Sequence, residues 1–304
     1  MAIQREIWQD HIEGNLFKNN EFLLASTDAT QFVLQGKVVH IPQAGALPNV
    51  VKNRVSLPAT VVQRGDTDIT YSLDEYSTDP ILIPNIETYE LSYNKRESIL
   101  GEHEASLRQA IADNLLYKWS PSGGAGLILR TTGASAAAHL DGATGNRKKF
   151  SIQDLKNAQN QMNKQNIPME NRYALMSSDM LQQITDDLSA TQYRDFSFVF
   201  DAKDGVLGKL FGFNIMMRSA VVTYNNVATP VVKSVGADAD ATDNDAVLCW
   251  QTGAVERAIG QINFFEKIGD PSYYGDVYSL SVRMGGRIRR ADAKGVIAIV
   301  QAAA

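Results

Sequence analysis

The chain contains one cysteine, Cys249, so neither an intrachain disulfide framework nor a cysteine metal site can form. It lies in the apolar run Ala246–Trp250 and reads as a buried structural thiol. Histidine is also sparse: His11, His40, His103 and His139 have no spacing that sets two of them on one helix face for zinc. Long apolar runs are missing, and nothing approaches the roughly 18 residues of a membrane span. The start, Met1–Trp8, lacks the apolar centre of a signal peptide, which predicts a cytoplasmic product with no membrane partner. Charge of one sign is missing too. With 29 basic and 34 acidic residues the net charge is −5, which argues against the basic surface of a dedicated nucleic-acid binder. There is no internal repeat.

Catalytic signatures are equally thin. Gly142–Lys149 has the composition of a phosphate-binding loop in the wrong order, and reads as a flexible loop. Gly133-Ala134-Ser135 lacks the second glycine of a nucleophile elbow. Asp238, Asp240, Asp243 and Asp245 resemble a calcium loop without its turn glycine and terminal glutamate, so a solvated, exposed loop dispensable for folding is expected. Arg283, Arg287, Arg289 and Arg290 lie on or beside one strand-like stretch, and read either as ion-paired surface or, for the first three, as DNA-facing. No catalytic, cofactor-binding or metal-ligating residue is assigned, and an enzyme is not expected.

What is present is architectural. A length of 304 residues with 44% hydrophobic content predicts an ordered α+β protein of two packed subdomains. The longest consistent pattern runs from Tyr93 to Trp119. Leu100, Leu107, Ile111 and Leu115 share a stripe with His103, read as a satisfied core or interface residue, while Lys95, Glu102, Gln109 and Asp113 take the opposite face. Pro121 and Gly123 then stop the helix. Residues 1–34 read as an arm with a short amphipathic helix at Trp8, Ile12 and Leu16. Residues 35–76 read as a long projecting hairpin, with strands at Val38–Ile41 and Thr67–Leu73. Its charge is one-sided: Lys52, Arg54 and Arg64 stand between Val38 and Gly65 without an acid, while Asp74 to Glu104 holds eight acids, Glu87, Glu90 and Glu97 among them, against Lys95 and Arg96.

Further along, Gly126–Arg130 reads as a strand and Thr131–Lys149 as a small-residue loop. Ser151 with Asp154 resembles a capping box for a helix carrying Ile152, Leu155, Ala158 and Met162 inward. A strand at Arg172–Met176 is followed by a helix capped by Ser178, with Leu181, Ile184 and Leu188 inward. Strands are expected at Phe211–Met217, Thr229–Val235 and Ala246–Trp250, a short helix near Ala254–Ile259, one long strand over Asp276–Arg290 and a last one at Gly295–Val300.

That order, together with Asp68–Tyr76, Glu90–Ser98, Leu155–Met162, Arg172–Met176, Gly205–Gly208, Phe211–Ile215 and Gly295–Ile299, resembles the major capsid proteins of tailed phages, the Hong Kong 97-type (HK-97-like) fold. The resemblance implies an arm (1–34), an extended hairpin or E-loop (35–76), a peripheral domain (77–132 and 262–294, spine helix 93–119) and an axial domain with a mixed sheet (133–261 and 295–304). It implies self-assembly as hexamers and pentamers into an icosahedral head enclosing double-stranded DNA, in the virion capsid after assembly in the host cytoplasm. Expected partners are further copies, a separate scaffolding protein, a portal, a decoration protein and packaged DNA held non-specifically. Lys52, Arg54 and Arg64 are expected to meet Glu87, Glu90 and Glu97 of a neighbouring copy. The competing readings are an encapsulin-like compartment and a soluble α+β enzyme with its site in the axial-domain loops.

Overall fold

A computed structural model describes residues 20–34, 37–43, 50–55, 58, 61, 63, 65, 67–84, 95–124, 126–197 and 205–304. The early strands are β1 (Thr27–Asp28), β2 (Val33–Leu34), β3 (Val38–Gln43), β4 (Thr67–Ser72), β5 (Asp74–Ser77) and β6 (Ile81–Pro84). Helix α1 (Lys95–Trp119) follows, then β7 (Ile128–Arg130), β8 (Ser135–Ala137) and β9 (Asn146–Lys148). Next come α2 (Ile152–Lys164), β10 (Arg172–Ser177), α3 (Ser178–Asp187), α4 (Ala190–Ser197), β11 (Gly208–Leu210), β12 (Phe213–Arg218) and β13 (Val222–Tyr224). The chain ends in β14 (Asn244–Gln251), β15 (Val255–Asp270), β16 (Gly275–Ile288) and β17 (Val296–Val300). Among the described residues no helix is long and apolar enough to cross a membrane.

Two sheets organise the body. The larger runs β11-β12-β10-β14-β17-β7, with β13 added beside β14, and mixes parallel and antiparallel pairs. Its central strands are apolar on both faces because both faces are covered. On β14, Ala246, Leu248 and Trp250 join one core, while Val247 and Cys249 join the other under α2 and α3. β17 divides in the same way, Val296, Ala298 and Val300 against Ile297 and Ile299. Cys249 is fully buried, and burial pushes its thiol pKa well up.

The second sheet runs β1-β15-β16, with β5 and β6 in succession along the far side of β16. Helix α1 packs on it through Leu107, Ile111, Leu115 and Trp119, in one core with Phe264, Tyr278, Leu280 and Val282. Ala112 and Leu116 widen that stripe. The expected start at Tyr93 lies outside the described residues, as do Trp8, Ile12 and Leu16. The end of the arm is built into the body. Phe22 and Leu23 are buried, Trp250 Nε1 donates to Ala25 O at 2.7 Å, and Arg257 Nη1 donates to Leu23 O and Ser26 O.

Several expectations need correction. The short helix near Ala254–Ile259 is the start of β15, where Glu256 stands opposite Arg287 and Ile259 opposite Met284. Those cross-strand partners, 25 to 31 residues away, override local preference. Thr229–Val235 holds only an isolated bridge from Val232 to Tyr224. The loop Thr131–Lys149 contains the β8–β9 hairpin. The cap of α3 is Ser177, whose hydroxyl accepts from Met180 N; Ile184 is buried as expected with Met180 beside it, and Leu181 and Leu188 are half-buried against the same core. The Ser151–Asp154 pair is as expected: Ser151 N and Oγ both donate to Asp154 Oδ2 at 2.9 Å.

Candidate functional site

The hairpin is the first candidate surface. β3 and β4 pair from Val38↔Ser72 to Gln43↔Thr67, so the strands close on each other as expected. Beyond them Val50, Val55 and Val61 are 90%, 96% and 96% exposed. Lys52 and Arg54 stand exposed between those valines. Arg64, Glu87 and Glu90 lie outside the described residues, as does the side chain of Glu97 on α1.

The root of the hairpin is held differently. A small core of Ala29, Val39, Leu73 and Ala258 joins it to β15. Gly285 admits the close approach, because a Cβ there would stand 2.9 Å from Leu73 Cδ2. Asp74, just past β4, is ion-paired with Lys118 on the last turn of α1.

The four arginines on and after β16 all face carboxylates. Arg283 binds Glu75 Oε2 through Nε and Nη2 at 3.0 and 2.8 Å, which lowers the Glu75 pKa. Arg287 Nε meets the fully buried Glu256 at 2.7 Å, and Arg289 Nε approaches its other oxygen at 3.4 Å. Arg290 pairs with Asp292.

The aspartate loop is split. Asp238 and Asp240 are exposed as expected, but Asp243 and Asp245 are only 5% and 2% exposed. Asp243 Oδ2 receives Lys233 Nζ at 2.7 Å, and Asp245 Oδ2 is shared by Ser177 Oγ and His139 Nε2. The expectation of a wholly solvated loop therefore fails at its second half. Its partners lie 10 to 106 residues away, and no spacing in the loop announces them. Among the described residues no group of three or more His, Cys, Asp or Glu side chains converges to hold a metal.

His103 is buried as expected but not satisfied. Among the described residues its Nδ1 has no hydrogen-bond partner, and desolvation lowers its pKa. It lines a groove of about 630 Å³ between α1 and β5–β6, with Tyr76, Asp79, Ile81, Glu102 and Leu107. The stripe placed His103 correctly, whereas the groove depends on where β5 and β6 pass.

No family model matches the chain, and no curated protein matches it by sequence. Solved structures do. The capsid chain of Cyanophage P-SCSP1u matches at 18% identity and TM-score 0.64, over 90% of this chain and 86% of that one. The capsid chain of Ralstonia phage GP4 matches at 13% identity and TM-score 0.65, over 92% and 87%. A capsid chain of a native GTA particle matches at 11% identity and TM-score 0.59, over 92% and 89%. Over about nine-tenths of its length the chain has the fold of these capsid subunits.

Proposed function

We propose that the chain is a major capsid protein, a shell subunit that forms the hexamers and pentamers of an icosahedral phage head around double-stranded DNA. The observation that carries this reading is the pairing of a capsid-type fold across nine-tenths of the chain with a projecting hairpin that leaves its valines in water. Exposed apolar residues grouped on one projection belong to an interface. In this reading the sheet under α1 is the peripheral domain, the larger sheet is the axial domain, and residues 35–76 are the arm that reaches a neighbour.

The acceptor favoured by charge and shape is the groove beside α1 on a second copy. It offers Tyr76, Ile81 and Leu107 to the valines, and Asp79 and Glu102 to Lys52 and Arg54. Arg64, Glu87, Glu90 and Glu97 belong to the same proposed contact. The carboxylate partners of Arg283, Arg287 and Arg289 favour ion pairing over a DNA-facing role. Scaffolding protein, portal and decoration protein are the further partners this function requires or accepts.

The test is to express the chain with and without the neighbouring structural proteins of its source and image the product by electron microscopy. Closed icosahedral shells are expected, empty when the portal is absent. Persistently monomeric protein in every combination would remove the reading, and shells that load an enzyme in place of DNA would redirect it to a compartment protein.

A further inference from the structure

Beneath the aspartate loop, His139, Gln301 and Asp245 form a hydrogen-bond chain that closes in one protonation state only. The backbone N–H of Asp245 can only donate, and it points at Gln301 Oε1, 3.3 Å away. That contact sets the side-chain amide, whose nitrogen then faces His139 Nδ1 at 3.4 Å. An amide nitrogen also only donates, so Nδ1 must be the bare, accepting nitrogen. The imidazole hydrogen is left on Nε2, where it donates to Asp245 Oδ2 at 2.9 Å. With His139 neutral, each of these three contacts pairs a donor with an acceptor.

A second proton on Nδ1 sets N–H against N–H. Gln301 and Asp245 are each 2% exposed, so water has little room to relieve the clash. The available relief is for Gln301 to turn its amide over. Its oxygen then accepts from Nδ1–H, and the Asp245 N–H loses its acceptor.

We propose that the side-chain amide of Gln301 is a two-position latch, set one way when His139 carries one proton and the other way when it carries two. The groups facing the imidazole make both settings reachable. Asp245 on β14 favours the second proton through its hydrogen bond and its charge, and Asp179 on the first turn of α3 adds to it. Ser177 at the end of β10 and Gln301 just after β17 are neutral. Arg147 on β9 is turned away, onto Asn244 Oδ1 and the carbonyls of Thr144, Asn146, Ala241 and Asp243. Lys233 is held by Asp243.

The latch sits at a junction. The aspartate loop runs into β14 there, and β17 runs into the last residues, which bridge β9 at Arg147↔Ala303. The backbone tie between Gln301 N and Asp245 O, at 3.0 Å, stays in both settings, while the Asp245 N–H tie exists in one. Protonation of one histidine thus loosens one named amide at the root of an acidic loop, whether or not the chain builds a shell.

Hydrogen exchange of the Asp245 amide in the full-length protein, followed from about pH 5 to about pH 9 and corrected for intrinsic rates, reads the latch. Protection should fall on the acid side of the His139 titration by roughly two- to ten-fold, the worth of one hydrogen bond. His139→Phe should abolish the pH dependence. Gln301→Glu should abolish it too, because its two oxygens accept from Nδ1–H and from Asp245 N–H together. Protection that stays flat through the titration in the wild type, or that falls equally in His139→Phe, would overturn the proposal.

Discussion

Valine has opposite fates in two regions of this molecule. In the sheets Val247, Val255, Val282, Val296 and Val300 are all 0% exposed. On the hairpin Val50, Val55 and Val61 are at least 90% exposed. The difference is not local preference, since both segments are rich in β-branched residues. It is whether the chain can bring a second apolar layer to them. The body folds β14 and β17 between α2–α3 on one side and α1 on the other, so the apolar side chains of those two strands are covered on both faces. Among the described residues the hairpin has only the small core at its root, where Phe32, Val33, Ile41 and Tyr71 pack on Ala29, Val39, Leu73 and Ala258. The body is thus a self-sufficient unit, and the hairpin is one half of a contact.

Changes in the body should cost stability, and changes on the hairpin should cost only assembly. The largest effect is expected from Leu107→Asp. It buries an unpaired carboxylate against Ile111 and the β16 core, at several kcal/mol, comparable with the stability of a domain. No cooperatively melting subunit should be recoverable, and a soluble one with a sharp transition would show the stripe to be misassigned.

The aspartate loop offers an internal contrast. Asp243→Asn with Asp245→Asn removes the charged acceptors of Lys233, Ser177 and His139, and should lower stability by about 2 kcal/mol or more in denaturant titration. Asp238→Asn with Asp240→Asn should leave the midpoint unchanged, because asparagine can keep the turn from Asp240 Oδ1 to Thr242 N. Equal effects of the two double variants would erase the distinction between the halves of the loop.

On the hairpin, Lys52→Glu with Arg54→Glu should leave the subunit's melting intact while slowing shell closure by light scattering. Raised salt should slow the wild type in the same direction, since such pairs are worth about 0–1 kcal/mol each and act on encounter and register. Unchanged assembly kinetics would assign the charge asymmetry to solvation.

The smallest effect is the pH dependence from His139. Asp245 raises its folded pKa above the ordinary 6.5, so the pair contributes stability fully below the unfolded value and loses it as pH rises through the raised folded value. The difference in stability between wild type and His139→Gln should therefore shrink with rising pH across that window. A difference that grows would reverse the sign of the interaction. The net gain in the acid state includes the local tie at Asp245 that the Gln301 latch gives up.

Elements whose pattern is set by their own sequence were legible. α1, α2, β10, β14, β16 and β17 carry periods of about 3.6 or 2, or a continuous apolar run, because one or both faces meet a core. β15 was not, because its first residues include Glu256 and Arg257, a buried carboxylate and a buried guanidinium that only distant partners explain. The split of the aspartate loop was hidden for the same reason. Exposure of the hairpin valines was legible from the broken spacing of Pro42, Gly45, Pro48, Pro58 and Gly65, which leaves no compact element to cover them.

The most direct test of the difference between the two regions is the triple variant Val50→Ser, Val55→Ser, Val61→Ser, examined by thermal melting and by electron microscopy beside the wild type. The expected result is a subunit that melts within about 0.5 kcal/mol of the wild type, as surface substitutions do, yet builds no closed shells. Shells formed as readily as by the wild type, or a subunit that no longer folds, would contradict it.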